Sequence, residues 1–141
     1  MVWPWSRKTA HEGAEIDAGC GQFGLEVVGE SQYQPAVLRA LKDAHRKGGR
    51  RIMRVWVERE PTNPNDPKAV RIISSYGETL GYLSREGASS YQKVLTEFEK
   101  AGLRVTCAAS VYGGDAERPT LGLWLDLLFP KKLKAAIPPT P

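Results

Sequence analysis

The segment Glu60-Pro-Thr-Asn-Pro-Asn-Asp-Pro67 constrains the fold of this chain more than any other. Its three prolines within eight residues each lack an N–H and fix φ, so the run is neither a helix nor a central strand. The Asn and Asp side chains between them bond to nearby backbone and favour turns. The elements on either side must therefore be joined by a stiff loop. Upstream, Ile52 to Arg59 alternates: Met53, Val55 and Val57 face one way, and Arg54, Trp56 and Glu58 the other. Downstream, Ala69 to Ser74 reads as a strand, Ser75-Tyr-Gly-Glu78 as a hairpin turn and Thr79 to Leu83 as its partner.

The same reading extends outward. Leu25 to Gly29 is predicted as a first strand. Pro35 suits the first turn of a helix whose apolar stripe is Val37, Leu38, Leu41 and Ala44, with Gly48-Gly49 as its stop. Ser84 is the expected N-cap of a second helix that turns Tyr91, Val94, Leu95 and Phe98 inward and ends at Gly102. Arg104 to Tyr112 and Leu121 to Leu128 alternate as two further strands. The expectation is a mostly β, α+β fold: a small six-stranded OB-like or SH3-like barrel with two helices, in the order β-α-β-β-β-α-β-β. Residues 25–129 form the barrel domain in this reading. The aperiodic segment 1–24 and the Lys/Pro-rich tail 130–141 are expected to be flexible.

A chain of 141 residues with 41% hydrophobic content suits one domain with a real core. The apolar run Leu121 to Phe129 is interrupted by Gly122 and Asp126, and Met1 to Lys8 lacks the pattern of a secretory signal. Cys20 and Cys107 lie far apart, which supports neither a disulfide framework nor a zinc cluster, and a cytoplasmic location is expected. The net charge is +4, and it is concentrated. Between residues 39 and 59 eight bases (Arg39, Lys42, Arg46, Lys47, Arg50, Arg51, Arg54, Arg59) face two acids, Asp43 and Glu58. Such a run is either a solvated face or a patch that attracts phosphate. His11 and His45 have no Ser or Cys at triad spacing, and no phosphate-binding loop is present. Glu58 and Glu60 share a strand face, but Arg59 between them and the turn beyond favour a structural role. No catalytic, metal or cofactor site is expected, and the chain reads as a non-enzyme.

Three blocks carry a family resemblance: Val27-Val-Gly-Glu-Ser-Gln-Tyr33, Arg59-Glu-Pro-Thr-Asn-Pro-Asn-Asp-Pro-Lys-Ala-Val70 and Gly81-Tyr-Leu-Ser-Arg-Glu86. In order and spacing they resemble the HIRAN domain, found in eukaryotic fork-remodelling proteins and in free-standing bacterial ones. The resemblance implies a barrel that binds the 3′ end of single-stranded DNA. An Asp of the Asn-Pro-x-Asp motif contacts the terminal hydroxyl, aromatic rings stack on the last bases, and a base after the Gly-x-Leu turn meets phosphate. Here Asp66, Asn63, Arg85 and Tyr33 match that pattern, whereas Gln32 and Asn65 stand at stacking-Tyr positions and Ser31 at a basic one.

The residues themselves leave alternatives open. Asp66 and Asn63 either read a strand end or tie their loop as Asx turns. Tyr82, Trp56 and Tyr33 are either stacking platforms or packing, and Arg59 is a further phosphate candidate. The function expected is nucleic-acid binding, at single-stranded DNA 3′ ends in repair or fork processing, with a repair or helicase-type protein as a possible partner. The rival is a protein-interaction module that holds a peptide along Pro61 to Pro67 and the barrel groove.

Overall fold

Arg104 to Tyr112 is the spine of a single curled sheet, paired along both edges and buried on both faces around Thr106 and Ser110 as well as Val105, Cys107, Ala109 and Val111. The computed structural model describes residues 15–19 and 21–138. His11, Cys20, most of the N-terminal segment expected to be flexible, and residues 139–141 lie outside them. The strands are β1 (Glu15–Asp17), β2 (Leu25–Glu26), β3 (His45–Lys47), β4 (Arg50–Arg59), β5 (Val70–Ile73), β6 (Thr79–Tyr82), β7 (Arg104–Tyr112) and β8 (Gly122–Asp126). The helices are α1 (Gln34–Leu41), α2 (Arg85–Lys100) and α3 (Pro130–Lys134). The sheet runs β2-β8-β7-β4-β5-β6, antiparallel at every step, with β3 on β4 and a parallel β1 on β7. One bridge brings its two ends together. Val28 N–H donates to the Tyr82 carbonyl at 2.8 Å, and Tyr82 N–H to the Val28 carbonyl at 2.9 Å.

The core follows from the alternation. Met53, Val55, Val57, Val105, Cys107, Ala109, Val111, Leu121, Leu123, Leu125 and Leu127 are all buried. Tyr91, Val94, Leu95 and Phe98 of α2 close over them, as their helical spacing predicts. Ser84 caps this helix by accepting the Gly87 N–H at 3.1 Å, and Gly102 leaves it with φ +73°. Phe98 alone is the kind of side chain whose truncation to Ala costs about 3–5 kcal/mol. Cys107 is fully buried, and burial pushes its thiol up to about 12, so it packs as a small hydrophobe.

The mostly β barrel with its two long helices is as expected, but several details differ. α1 ends at Leu41 and buries Ala36, Val37 and Ala40, while Leu38, assigned to the inner stripe, is 56% exposed. Gly48-Gly49 is not a helix stop. Positive φ at both residues (58° and 79°) marks the two-residue turn of a β3–β4 hairpin, whose ladder replaces the last helical turn. Eight strands replace six, because β1 and β3 are three-residue segments too short to show a period.

Both flanks add to the barrel. Ala18 is fully buried, donates to the Thr106 carbonyl at 2.9 Å and accepts from Leu128 N–H at 2.8 Å. Leu133 of α3 is fully buried against the core. The packed unit therefore extends beyond 25–129 on both sides.

Candidate nucleic-acid interface

The three sequence blocks meet in space because the barrel closes through them. Val28 of the first block pairs with Tyr82 of the third. Gly81 permits this approach: a Cβ there would lie 2.5 Å from Val27 Cγ1 and 2.9 Å from the Val28 carbonyl oxygen. The second block then folds back on the third, with Glu60 N–H donating to the Ala69 carbonyl at 2.8 Å and Leu83 N–H to the Val70 carbonyl at 3.0 Å.

Within the proline loop, Asn63 is spent on structure. Its side-chain oxygen accepts the N–H groups of Asn65 (2.8 Å) and Asp66 (3.1 Å), and its amide donates to Glu60 Oε1 at 2.7 Å. The half-buried Asp66 ties the loop as well, since Oδ1 accepts Lys68 N–H at 2.9 Å. Its Oδ2 makes no hydrogen bond among the described residues, so one oxygen of the tethered carboxylate is left without a partner there. Asn65 and Gln32 are exposed beside these elements.

Glu60 is the hub that sequence reasoning missed. Its Oε1 also accepts the Tyr82 hydroxyl at 2.7 Å, and Oε2 lies 3.5 Å from Arg71, which reaches Glu58 at 3.6 Å. Burial, then the Glu60 bond, pushes the Tyr82 phenol far above its ordinary value, so it stays a donor. The Tyr33 ring sits 6.1 Å from that of Tyr82 at 53°, a tilted aromatic pair. A signal for this network was present. Pairing β4 with β5 across the proline loop sets Glu58 opposite Arg71, an opposite-charge cross-strand pair.

Other candidates are placed elsewhere. Arg85 opens α2 three residues past Tyr82, exposed and without an ion pair among the described residues. A cation gains nothing from a helix N-terminus, so its charge is left for solvent or a ligand. Arg59 is held bidentately by Glu99, at 2.9 and 2.6 Å, and is not available to phosphate in this arrangement. Trp56 donates from Nε1 to Glu15 at 2.7 Å, and the Arg104 guanidinium carbon lies 5.6 Å from its ring centroid. Trp56 is thus tied to β1 through Glu15, with Arg104 near its ring.

The predicted 39–59 patch is divided too. Arg39 pairs with Glu78 at 2.6 Å, Arg54 with Asp17 at 3.1 Å and Arg59 with Glu99 at 2.6 Å. Arg46, Lys47 and Arg50 remain grouped at the β3–β4 hairpin.

Among the described residues, no group of His, Cys, Asp and Glu side chains could hold a metal ion, and no helix is long and apolar enough to cross a membrane. Residues 21–122 match the HIRAN domain. Among solved structures, the chain is similar to a protein from Lactobacillus plantarum, with 27% identity, coverage of 72% of this chain and 86% of that one, and a TM-score of 0.45. It is also similar to the HIRAN domain of human HLTF, with 18% identity, 82% and 84% coverage, and a TM-score of 0.43. No curated protein matches.

Proposed function

Because this chain belongs to the HIRAN domain family, we propose that it is a non-enzymatic nucleic-acid-binding module that reads the 3′ end of a single DNA strand in repair or replication-fork processing. Membership supports nucleic-acid binding as such, and the finer reading rests on Asp66. One observation carries it: Asp66 Oδ2 has no hydrogen-bond partner among the described residues, on a loop tied by Asn63, which Glu60 links to the Tyr82 hydroxyl. A carboxylate accepts from a terminal hydroxyl and repels an internal phosphodiester, so such an oxygen distinguishes an end from a middle. Tyr82 and Tyr33 supply ring faces, and Arg85 supplies the cation for the adjoining phosphate. Gln32 and Asn65 offer amides where a ring would stack, and stacking is worth about 1–3 kcal/mol per base, so end binding is weaker than two more rings would make it.

Fluorescence anisotropy with oligonucleotides bearing a 3′-hydroxyl or a 3′-phosphate tests the reading. Wild type should prefer the hydroxyl. Asp66→Ala should lose roughly ten- to hundredfold on hydroxyl ends, the equivalent of a charged hydrogen bond of about 1.5–3 kcal/mol, and little elsewhere. Unfolding curves must accompany it, because Oδ1 also ties Lys68. Equal binding of both ends by folded wild type sinks the end-reading role.

The peptide-binding alternative has its own feature, a cleft of about 360 Å³ between α2 and β4 lined by apolar Leu95, Phe98 and Leu103 and by the ion-paired Arg59, Glu99 and Arg104. Ligand binding there would be largely insensitive to salt, whereas phosphate-driven binding weakens steeply.

A further inference from the structure

We propose that the β3–β4 hairpin is a second contact for the phosphodiester backbone, blind to strand ends, which takes the nucleic acid leading away from the Asp66 mouth. It rests on the nucleic-acid-binding reading but not on 3′-end preference.

The argument begins with register. Across the hairpin Lys47 stands opposite Arg50, and Arg46 opposite Arg51. Like charges directly opposite on a ladder repel and destabilise it. Among the described residues Arg46, Lys47 and Arg50 have no carboxylate partner, and Arg51 donates to the Gly113 carbonyl at 3.0 Å. The two acids of this face are already committed: Asp17 to Arg54 at 3.1 Å, and Asp126 to the N–H groups of Gly21 and Gln22 at 2.7–3.2 Å. The hairpin thus maintains a cationic ladder at its own expense, held out by a two-residue glycine turn.

A second observation is independent of charge. Phe23 is the one described non-glycine residue with positive φ, at 46°, a conformation in which bulky side chains are strained. That backbone sets its ring 4.8 Å from the Arg50 guanidinium carbon. Phe23, His45, Lys47, Arg50 and Arg54 together line an open groove of about 640 Å³. The same groove holds Asp17 and Asp126, already committed, so its unpaired cations among the described residues are Lys47 and Arg50. Two such cations beside one aromatic ring suit a phosphate backbone and its bases, and a two-stranded ribbon fits a major groove.

Position fixes the role. β4 runs from the hairpin at Arg50 to Arg59, where the mouth loop begins, about 30 Å of strand at ~3.3 Å per residue. At ~3.4 Å per nucleotide along a duplex strand, that span corresponds to about nine nucleotides. A short oligonucleotide therefore reaches one site, and a longer one reaches both.

The test uses the full chain with Arg46, Lys47 and Arg50 all changed to Ser. The probes are an oligothymidylate of about six nucleotides, one of about thirty, and a blunt duplex of about thirty base pairs blocked by 3′-phosphates. On the long strand or the duplex, affinity at low salt should fall on the order of ten- to hundredfold, and the salt slope should become shallower by about 2–3. Whichever falls further identifies single strand or duplex as the source. The six-nucleotide strand should keep its 3′-hydroxyl preference unchanged. Lys47→Glu guards against a merely structural effect: an opposite-charge pair with Arg50 should hold or raise the unfolding midpoint while binding weakens. Unchanged affinity and slope on both long probes overturn the proposal, as does weakened binding that appears only with a lowered midpoint. If wild type ignores the 3′-hydroxyl yet the triple variant still loses duplex affinity, end reading fails and the hairpin contact stands.

Discussion

At the Arg59 end of β4 nearly every charge has a partner. Glu58 meets Arg71 and Arg104, Glu60 meets Arg71, Asn63 and Tyr82, and Arg59 is clamped by Glu99. At the other end of the same strand, Lys47 and Arg50 face each other with no acid between them. A satisfied network fixes geometry, which is what discriminating one terminal atom requires. An unsatisfied one holds no fine geometry but attracts a polyanion from any direction. One strand therefore carries both devices, kept apart by its length.

The glycines at the two ends test this division most strongly. Gly81→Ala should cost about 1–3 kcal/mol in urea unfolding, because the new Cβ has the Val28 backbone oxygen at 2.9 Å as well as Val27 against it. Cooperative unfolding at the wild-type midpoint would mean that the mouth is looser than its contacts imply. Gly49→Ala meets no neighbour, but its φ of +79° should cost about 1–2 kcal/mol, with end preference untouched. Loss of 3′-hydroxyl preference in that variant would show the two ends to be coupled.

Arg59→Gln should cost at most about 1 kcal/mol, since the pair with Glu99 is partly exposed, and should barely change oligonucleotide affinity. A loss of affinity as large as that of Asp66→Ala would return Arg59 to the phosphate-binding set.

The smallest effect concerns Glu30, which burial raises above its usual 4.5 although it accepts Leu123 N–H at 3.0 Å. Between 4.5 and that raised value the folded chain holds a proton that the unfolded chain has released, so stability falls as pH rises through the window. Glu30→Gln should flatten this part of a midpoint-against-pH curve, and an unchanged slope would place the titration elsewhere.

Much of this architecture was legible because alternation and capping are local signals. The long strands around Val55 and Cys107, and the Ser84-capped helix, needed no tertiary information. The hairpin was not legible. His45-Arg-Lys47 has no apolar member, and Gly48-Gly49 ends a helix as plausibly as it turns a ribbon, so pairing with β4 decided between them. β1 and Leu133 were missed because each depends on a surface made elsewhere in the chain. At the mouth, the motif residues were visible, but their wiring was not. That Asn63 is spent inside its loop, that Arg59 belongs to Glu99 and that Glu60 links Tyr82 to Asn63 are facts of geometry. Residue type alone left Asn63 and Arg59 among the candidate contacts and gave no sign of the partners Glu60 would gather.

β4 and β7 share seven paired residues, whereas the seam between the β2 and β6 ends of the sheet has the single bridge of Val28 with Tyr82. Local opening starts where fewest bonds must break, so amide hydrogen exchange should be fastest for the barrel at this seam. The seam includes Tyr82, whose ring pairs with that of Tyr33, so in the proposed reading a bound strand end would meet the residue that closes the barrel. A strand end resting on Tyr82 would slow the escape of the Val28 and Tyr82 amide protons while leaving those of β4 and β7 unaffected. Those two protons would then report occupancy from inside the fold, with no label on the nucleic acid.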